Sequence, residues 1–350
     1  MSMLADIAEV VIGVDTHKDT HTAAVLDTRT GAVLARITIS TDPDGYAELI
    51  ALADHHSALR AWALEGSSGY GAGLTRHLSQ TGELVVELDR PQRPARRAGA
   101  KSDPIDAERA ARDALARTRM AQPKTGGQRA ALQMLLTARR AAVEAGADAQ
   151  RQLHAMVITA PEVVRARFRG QSTRIMLATA INLRPTTAAG EVEVFTSLNV
   201  LRDLARRVRF LEAEAAVDEK AIRAIVRAWR PELLALTGVG PIVAATMLAA
   251  WSHPGRCRND AAFAMLAGTA PIPASSGKTV RYRLNRSGDR QLNRALHTIV
   301  LTRLQKDQPT QAYADRRRTQ GKTDREIKRC LKRYVARELY RLLETTPSTP

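Results

Sequence analysis

The chain has 350 residues, 44% of them hydrophobic, and its Lys+Arg 53 against Asp+Glu 36 give a formal charge of +17. That length suits two domains with a connector, the apolar fraction excludes wholesale disorder, and the basic excess favours a polyanionic partner, because neutralised phosphates release condensed counterions. No apolar run approaches membrane-spanning length, the start Met1-Ser2-Met3-Leu4-Ala5-Asp6 lacks signal-peptide order, and Cys257 and Cys330 have neither disulfide-framework nor zinc spacing, so a cytoplasmic chain with no membrane partner is expected.

Short apolar, β-branched runs at Val10–Val14, His21–Leu26 and Val33–Ile39 predict three strands in quick succession, with 27–31 (Asp-Thr-Arg-Thr-Gly) as a turn. Tyr46–Ala53 is expected to be helical, Ala61–Leu64 a buried strand, Tyr70–Leu78 an amphipathic helix and Leu84–Leu88 another strand. The order β-β-β-α-β-α-β matches an α/β RNase-H-like sheet. A Pro- and Arg-rich connector follows at Arg90–Arg97, and a helix starts near Pro104. From Gln128 to Val157 the chain is Ala-rich and helical. Farther on, Leu201, Leu204, Val208, Leu211, Ala215, Ile222, Ile225 and Trp229 recur at three- and four-residue steps, with Asp218 as the polar member of the stripe. This is coiled-coil spacing, read either as an antiparallel hairpin or dimerisation arm, or as two helices packed on their own domain. The expected division is 1–122, 123–230 and a mainly helical 231–345, with 346–350 a polar tail.

Four carboxylates are placed unusually. Asp15 ends the first strand and Glu65 a later one, where acidic residues are poor sheet formers. Asp103 and Asp106 stand in Lys101-Ser102-Asp103-Pro104-Ile105-Asp106-Ala107. One reading of the latter pair is a helix start, with Asp103 as N-cap, Pro104 at the first position and Asp106 near the positive end of the dipole. Asp15 by itself reads more readily as a turn residue than as a ligand. The other reading takes the set together: hard Mg²⁺, or Mn²⁺ in its place, prefers carboxylate oxygens, and two such ions about 4 Å apart stabilise phosphodiester transfer. Both readings hold at once for Asp103 and Asp106, since residues three apart share a helix face.

The segments Ile12-Gly13-Val14-Asp15-Thr16-His17-Lys18, Glu65-Gly66-Ser67-Ser68-Gly69-Tyr70-Gly71 and Lys101–Ala107 resemble, in order, the motif blocks of DEDD-type insertion-sequence transposases. That group is related to the Piv invertase and includes bridge-RNA-guided recombinases. Farther along, Ala267-Gly268-Thr269-Ala270-Pro271, Ser275-Ser276-Gly277-Lys278 and 285–294 resemble the transposase domain of the same group. The resemblance implies a RuvC-like catalytic domain holding metal through Asp15, Glu65, Asp103 and Asp106, a coiled-coil connector and a serine-containing transposase domain. It implies that Ser276 attacks the scissile phosphate and becomes covalently linked to DNA, and that the two domains meet in a composite site of a homodimer or tetramer. Donor and target DNA, with a guide RNA pairing to both, are the implied partners. Without the resemblance, 275–277 reads as a flexible turn, and Ser275 is the neighbouring candidate.

Leu236-Thr237-Gly238-Val239-Gly240-Pro241 reads as half of a helix-hairpin-helix or as an ordinary capped turn. Basic residues cluster at Arg90–Arg97, Lys278–Arg294 and Arg316–Arg337. Among them Arg283, Arg286, Arg290 and Arg294 recur at helix-like spacing and, with Lys278, suit phosphate clamping. Aromatic residues make up 4% of the chain, too few for a base-stacking platform. His17, His21 and His297 are read as structural or solvent-facing. The leading expectation is DNA strand exchange. Its rivals are a hydrolytic junction resolvase using the same carboxylates with water, and a basic nucleic-acid-binding protein whose carboxylates are only caps.

Overall fold

A computed structural model describes residues 3–88, 103–185, 192–275 and 282–345, and divides the chain into two units, Met1–Gly126 and Gly127–Pro350. The first unit runs α1 (Leu4–Ile7), β1 (Val10–Thr16), β2 (Thr20–Asp27), β3 (Val33–Ser40), α2 (Pro43–Asp54), β4 (Arg60–Glu65), α3 (Ala72–Gln80), β5 (Leu84–Leu88) and α4 (Asp103–Ala116). Its sheet has the order β3-β2-β1-β4-β5, with β2 antiparallel to both β1 and β3, and β4 parallel to both β1 and β5.

Local chemistry explains the turns. Asp27 Oδ1 accepts from the amides of Arg29 and Thr30, and Gly31 supplies the positive φ of 70° that returns the chain into β3. Helix α2 starts at Pro43, earlier than the apolar periodicity suggests, because Asp42 caps it through the Gly45 amide at 2.8 Å. Helix α3 starts later than expected, at Ala72, because Gly66–Gly71 is spent on a turn with a 2.7 Å bond from Gly69 N to the Gly66 carbonyl.

Strand alternation sorts the core into two layers. Val10, Ile12, Val14, Trp62 and Leu64 pack with Leu49, Leu74 and Leu78 on one face. On the other face, Val11, Ala61, Ala63 and Val86 pack against Ala107, Ala110, Ala111 and Ala114 of α4. At the first layer's edge, Trp62 Nε1 donates to Glu83 Oε2 at 2.7 Å and Arg60 Nε to the same oxygen at 3.0 Å.

The second unit is mainly helical: α5 (Gly127–Thr159), α6 (Glu162–Arg165), α7 (Thr173–Ile181), α8 (Val192–Trp229), α9 (Pro241–Trp251), α10 (Asp260–Leu266), α11 (Arg290–Lys306), α12 (Gln308–Thr319) and α13 (Asp324–Thr345), with a small ladder of β6 (Ile272–Pro273) and β7 (Tyr282–Arg283). Helices α5 and α8 pair antiparallel: Arg139 Nη2 bonds Glu219 Oε2 at 2.9 Å, and a Cβ on Gly146 would sit 3.6 Å from Leu211 Cβ. Leu201, Val208, Ala215 and Ile222, seven residues apart, are buried along this seam. One end packs with α7 around Leu153, Phe168 and Leu198, and the other joins the C-terminal core around Trp251, Phe263, Leu296 and Leu339. Arg230, 1% exposed, donates to the carbonyls of Leu342 and Leu343, each at 3.1 Å, and so ties the end of α8 to the end of α13.

The glycine turn before α9 is a packing device. Gly238 has φ 86°, and a Cβ there would meet the Ile299 carbonyl oxygen at 3.0 Å. Among the described residues no helix is long and apolar enough to cross a membrane.

Candidate active site: an acidic cluster beside the N-terminal sheet

The alternation that builds the core also aims the carboxylates. Val14 pairs with Leu64 across the parallel β1–β4 ladder, and both point into the first layer. Asp15 and Glu65, each one residue farther on, therefore project to the opposite face, which α4 covers. Asp15 lies within β1, paired with Thr22, and is not a turn residue.

Gly13 lets α4 approach. A Cβ there would fall 2.1 Å from the Ala107 carbonyl oxygen and 2.5 Å from the Ala111 amide nitrogen. With that Cβ missing, the first turn of α4 carries Asp103 to the end of β1. Oxygens of Asp15 and Asp103 and a nitrogen of His17 all lie within 4.8 Å of one another. His17 Nε2 stands 3.2 Å from Asp15 Oδ2 and 3.6 Å from Asp103 Oδ1.

Burial pushes the Asp15 carboxyl above its ordinary value; His17 opposes the rise, and the negative charges of Asp106 and Asp103 add to it. Asp106 is half-buried and accepts from Arg109 Nη1 at 2.9 Å. Glu65 is half-buried at the end of β4, and its backbone carbonyl accepts from Thr16 Oγ1 at 3.0 Å. Asp15 and Asp103 thus meet at ligand distance, Asp106 acts on Asp15 electrostatically, and Glu65 sits on the adjoining strand outside the close group.

His17 is the residue that sequence reasoning set aside. It is exposed, as expected, yet its ring nitrogen belongs to the cluster. The available signal was its spacing: residues i and i+2 at a strand end share a face, so Asp15 and His17 go together. Carboxylates this close repel when ionised, and a cation relieves them, whether a proton on His17 or a bound metal. The donor set fits a divalent ion: carboxylates suit Mg²⁺ or Mn²⁺, and an imidazole favours the softer of the two.

In the second unit the structure joins two of the segments singled out by sequence. Gly268, with φ 64°, lies against Gly288, where a Cβ would come 2.2 Å from the Gly268 nitrogen. Asn285 Nδ2 donates to the Met265 carbonyl at 3.0 Å, Asp289 N to that of Leu266 at 2.7 Å and Asn293 Nδ2 to that of Ala267 at 2.7 Å. Ser275 is exposed, whereas Ser276 and Lys278, like Arg90–Arg97, lie outside the described residues.

The helix-like spacing of the four arginines holds only in part. Arg290 and Arg294 are on α11, but Arg283 ends β7 and Arg286 is in a turn, where Asn285 Oδ1 takes the Ser287 amide at 3.0 Å. A helix through this stretch would separate Gly288 from Gly268. All four arginines are exposed, and among the described residues none has an ion pair.

Comparison with known proteins agrees with these two regions. A transposase family model of the DEDD type associated with IS110 matches residues 12–160, and the model described as "Transposase IS116/IS110/IS902 family" matches residues 231–315. An uncharacterized 42 kDa protein of insertion element IS900 from Mycobacterium paratuberculosis is 33% identical over 132 residues, covering 35% of this chain and 32% of that protein. An uncharacterized 43.6 kDa protein of insertion element IS110 from Streptomyces coelicolor is 31% identical over 127 residues, covering 35% of this chain and 31% of that protein. The matched stretch spans about a third of each relative's length. The two matched segments are each similar to insertion-sequence transposases, the first of the DEDD type. Residues 12–160 are thus similar to the DEDD-type transposase model and residues 231–315 to the IS116/IS110/IS902 transposase family.

Proposed function

We propose that this protein is a recombinase that moves an insertion sequence by divalent-metal-dependent DNA strand exchange. The observation that carries the reading is the meeting of Asp15, His17 and Asp103 at the end of β1, with Asp106 within electrostatic reach. The sheet order and the helix across its face support an RNase-H-like, RuvC-like domain within residues 1–122. Residues 123–230 act as the coiled-coil connector, and 231–345 as the transposase domain.

Asp15, Asp103, Asp106 and Glu65 would hold Mg²⁺ or Mn²⁺, with His17 beside them. Such an ion supplies Lewis-acid stabilisation of the charge that develops on phosphate oxygens. Ser276 loses its hydroxyl proton, its Oγ bonds to phosphorus, and the bond from phosphorus to the departing sugar oxygen breaks as that oxygen takes a proton. Reversal with a different sugar hydroxyl rejoins strands without external energy, because the phosphodiester is conserved in the serine link. Arg283, Arg286, Arg290 and Arg294, with Lys278, neutralise backbone phosphates. Donor and target DNA, a guide RNA and a homodimer or tetramer complete the proposal.

The test is denaturing electrophoresis of labelled DNA with the full-length protein. A protease-sensitive adduct should form with Mg²⁺ or Mn²⁺ and disappear with excess EDTA or in Ser276→Ala. Cleavage at the normal rate by Ser276→Ala would overturn the serine step in favour of water, as in a junction resolvase. Undiminished activity in EDTA would overturn the metal step.

A further inference from the structure

Lysine is seldom withdrawn from water without a carboxylate partner. Lys332, half-buried on α13, departs from that rule: its Nζ donates to Asn293 Oδ1 on α11 at 2.9 Å. That contact brings two helix faces together. Residues one turn apart share a face, so His297 accompanies Asn293 and Lys328 accompanies Lys332.

The charges acting on this spot are positive. Burial pushes the Lys332 amine down, and Arg329 adds to the fall. His297 is lowered by burial, then by Lys332 and Lys328. The acids of the same helices are engaged elsewhere. Asp289 caps α11 through the Gln291 and Leu292 amides, Asp324 pairs with Arg318, Glu326 takes the Thr323 amide and pairs with Lys322, Glu338 pairs with Arg303, and Glu344 accepts from Trp251 Nε1 and the Gly255 amide. Cations assembled against burial without a counter-charge work against folding, and an arriving anion reverses that penalty.

The stripe is longer than one small anion needs. Arg290, Arg294 and His297 follow one another on one face of α11 over about 10 Å at 1.5 Å per residue, more than a lone phosphate spans. We propose that Asn293, His297, Lys328, Arg329 and Lys332 form a phosphodiester-binding track, continuous with Arg290 and Arg294, that grips a nucleic-acid backbone beside the joined segments 265–268 and 285–289. The track rests on the transposase reading for the presence of nucleic acid in the protein's function.

The experiment measures binding of the full-length protein to a short duplex DNA and to a single-stranded RNA across a salt series. Lys328→Gln/Lys332→Gln is compared with wild type and with Lys306→Gln, an exposed control at the far end of α11. Loss of two phosphate contacts should lower the log–log salt slope for duplex DNA by about 1.8. The fall in affinity between about 50 and 200 mM salt should therefore shrink roughly tenfold. Lys306→Gln should behave as wild type. A change with DNA alone, RNA alone or both supports the track and identifies its source of phosphate. Unchanged slopes for both, beside a steep wild-type slope, overturn the track and leave the transposase reading standing. A wild-type protein that binds neither nucleic acid overturns both. Lys332→Met separates folding from binding: it should melt at or above the wild-type temperature while binding more weakly. A lower melting temperature would show the amine to be structural and would overturn the assignment.

Discussion

Gly13→Ala adds one methyl group at the point where α4 crosses β1. That Cβ would stand 2.1 Å from the Ala107 carbonyl oxygen, 2.5 Å from the Ala111 nitrogen and 2.9 Å from Ala111 Cβ, against 3.4 Å for ordinary contact. Two of the three neighbours are backbone, so no side chain can swing aside. Helix α4 must move out by about 1 Å or the sheet must bend, and such overpacking costs about 1–3 kcal/mol. The smaller unfolded-state entropy of alanine returns about 0.4–1 kcal/mol. The functional loss should be larger than the stability loss. Asp103 and Asp106 ride on the first turn of α4, metal–ligand distances tolerate about 0.2 Å, and a misplacement of about 1 Å costs on the order of a hundredfold in rate. Strand-exchange rate and thermal unfolding are measured on the same preparation, with Gly31→Ala as a control in an open turn. Gly13→Ala should fold and lose about two orders of magnitude in rate, whereas Gly31→Ala should lose stability only. A Gly13→Ala protein with wild-type rate and melting temperature would refute the idea that this contact sets the acidic cluster.

Two further outcomes follow from the charges. Burial holds the folded Asp15 carboxyl above its ordinary 3.8, so the ionised form is disfavoured in the folded state and works against stability above that pH. Asp15→Asn should melt at or above the wild-type temperature in EDTA at neutral pH yet show no strand exchange; a clearly lower melting temperature would contradict the burial account. Glu83 has the opposite sign: the hydrogen bond from Arg60 holds its carboxyl below its ordinary 4.5, with a further contribution from Trp62. Its stabilisation is present above about pH 4.5 and is lost as the pH falls through the lower folded value. Glu83→Gln should destabilise by about 1.5–3 kcal/mol at neutral pH, and denaturant titration should find a smaller difference at acid pH.

The candidate site was legible where strand periodicity and motif spacing coincide. Asp15 and Glu65 could be named because each follows an apolar strand run, and Asp103 and Asp106 because Asp-Pro opens a helix. His17 was passed over although Asp15 and His17 have i, i+2 spacing, because one histidine beside a strand carries little signal until the opposing helix is in place. The arginine series shows the reverse error. A three- and four-residue repeat looked helical through 283–294, but the turn at Asn285–Gly288 interrupts it, since Gly288 is needed against Gly268. The basic clusters Lys278–Arg294 and Arg316–Arg337 were visible in the sequence, but the meeting of Asn293 with Lys332 was not, because the two are far apart in the chain.

The sequence alone determined the alternating pattern of the strands and the heptad stripe of α8, because burial on one face is encoded residue by residue, while the structure decided that the stripe meets α5. Its composition also set a charge of +17, which attracts phosphate whatever the fold. Only the tertiary structure decided which charged groups meet. Asp15 and Asp103 converge because Gly13 admits α4 to the sheet, and Lys332 lacks a carboxylate because every nearby acid on its helices is engaged elsewhere. Local pattern records what each residue prefers to touch, but ligand geometry depends on backbone approach between segments remote in the chain.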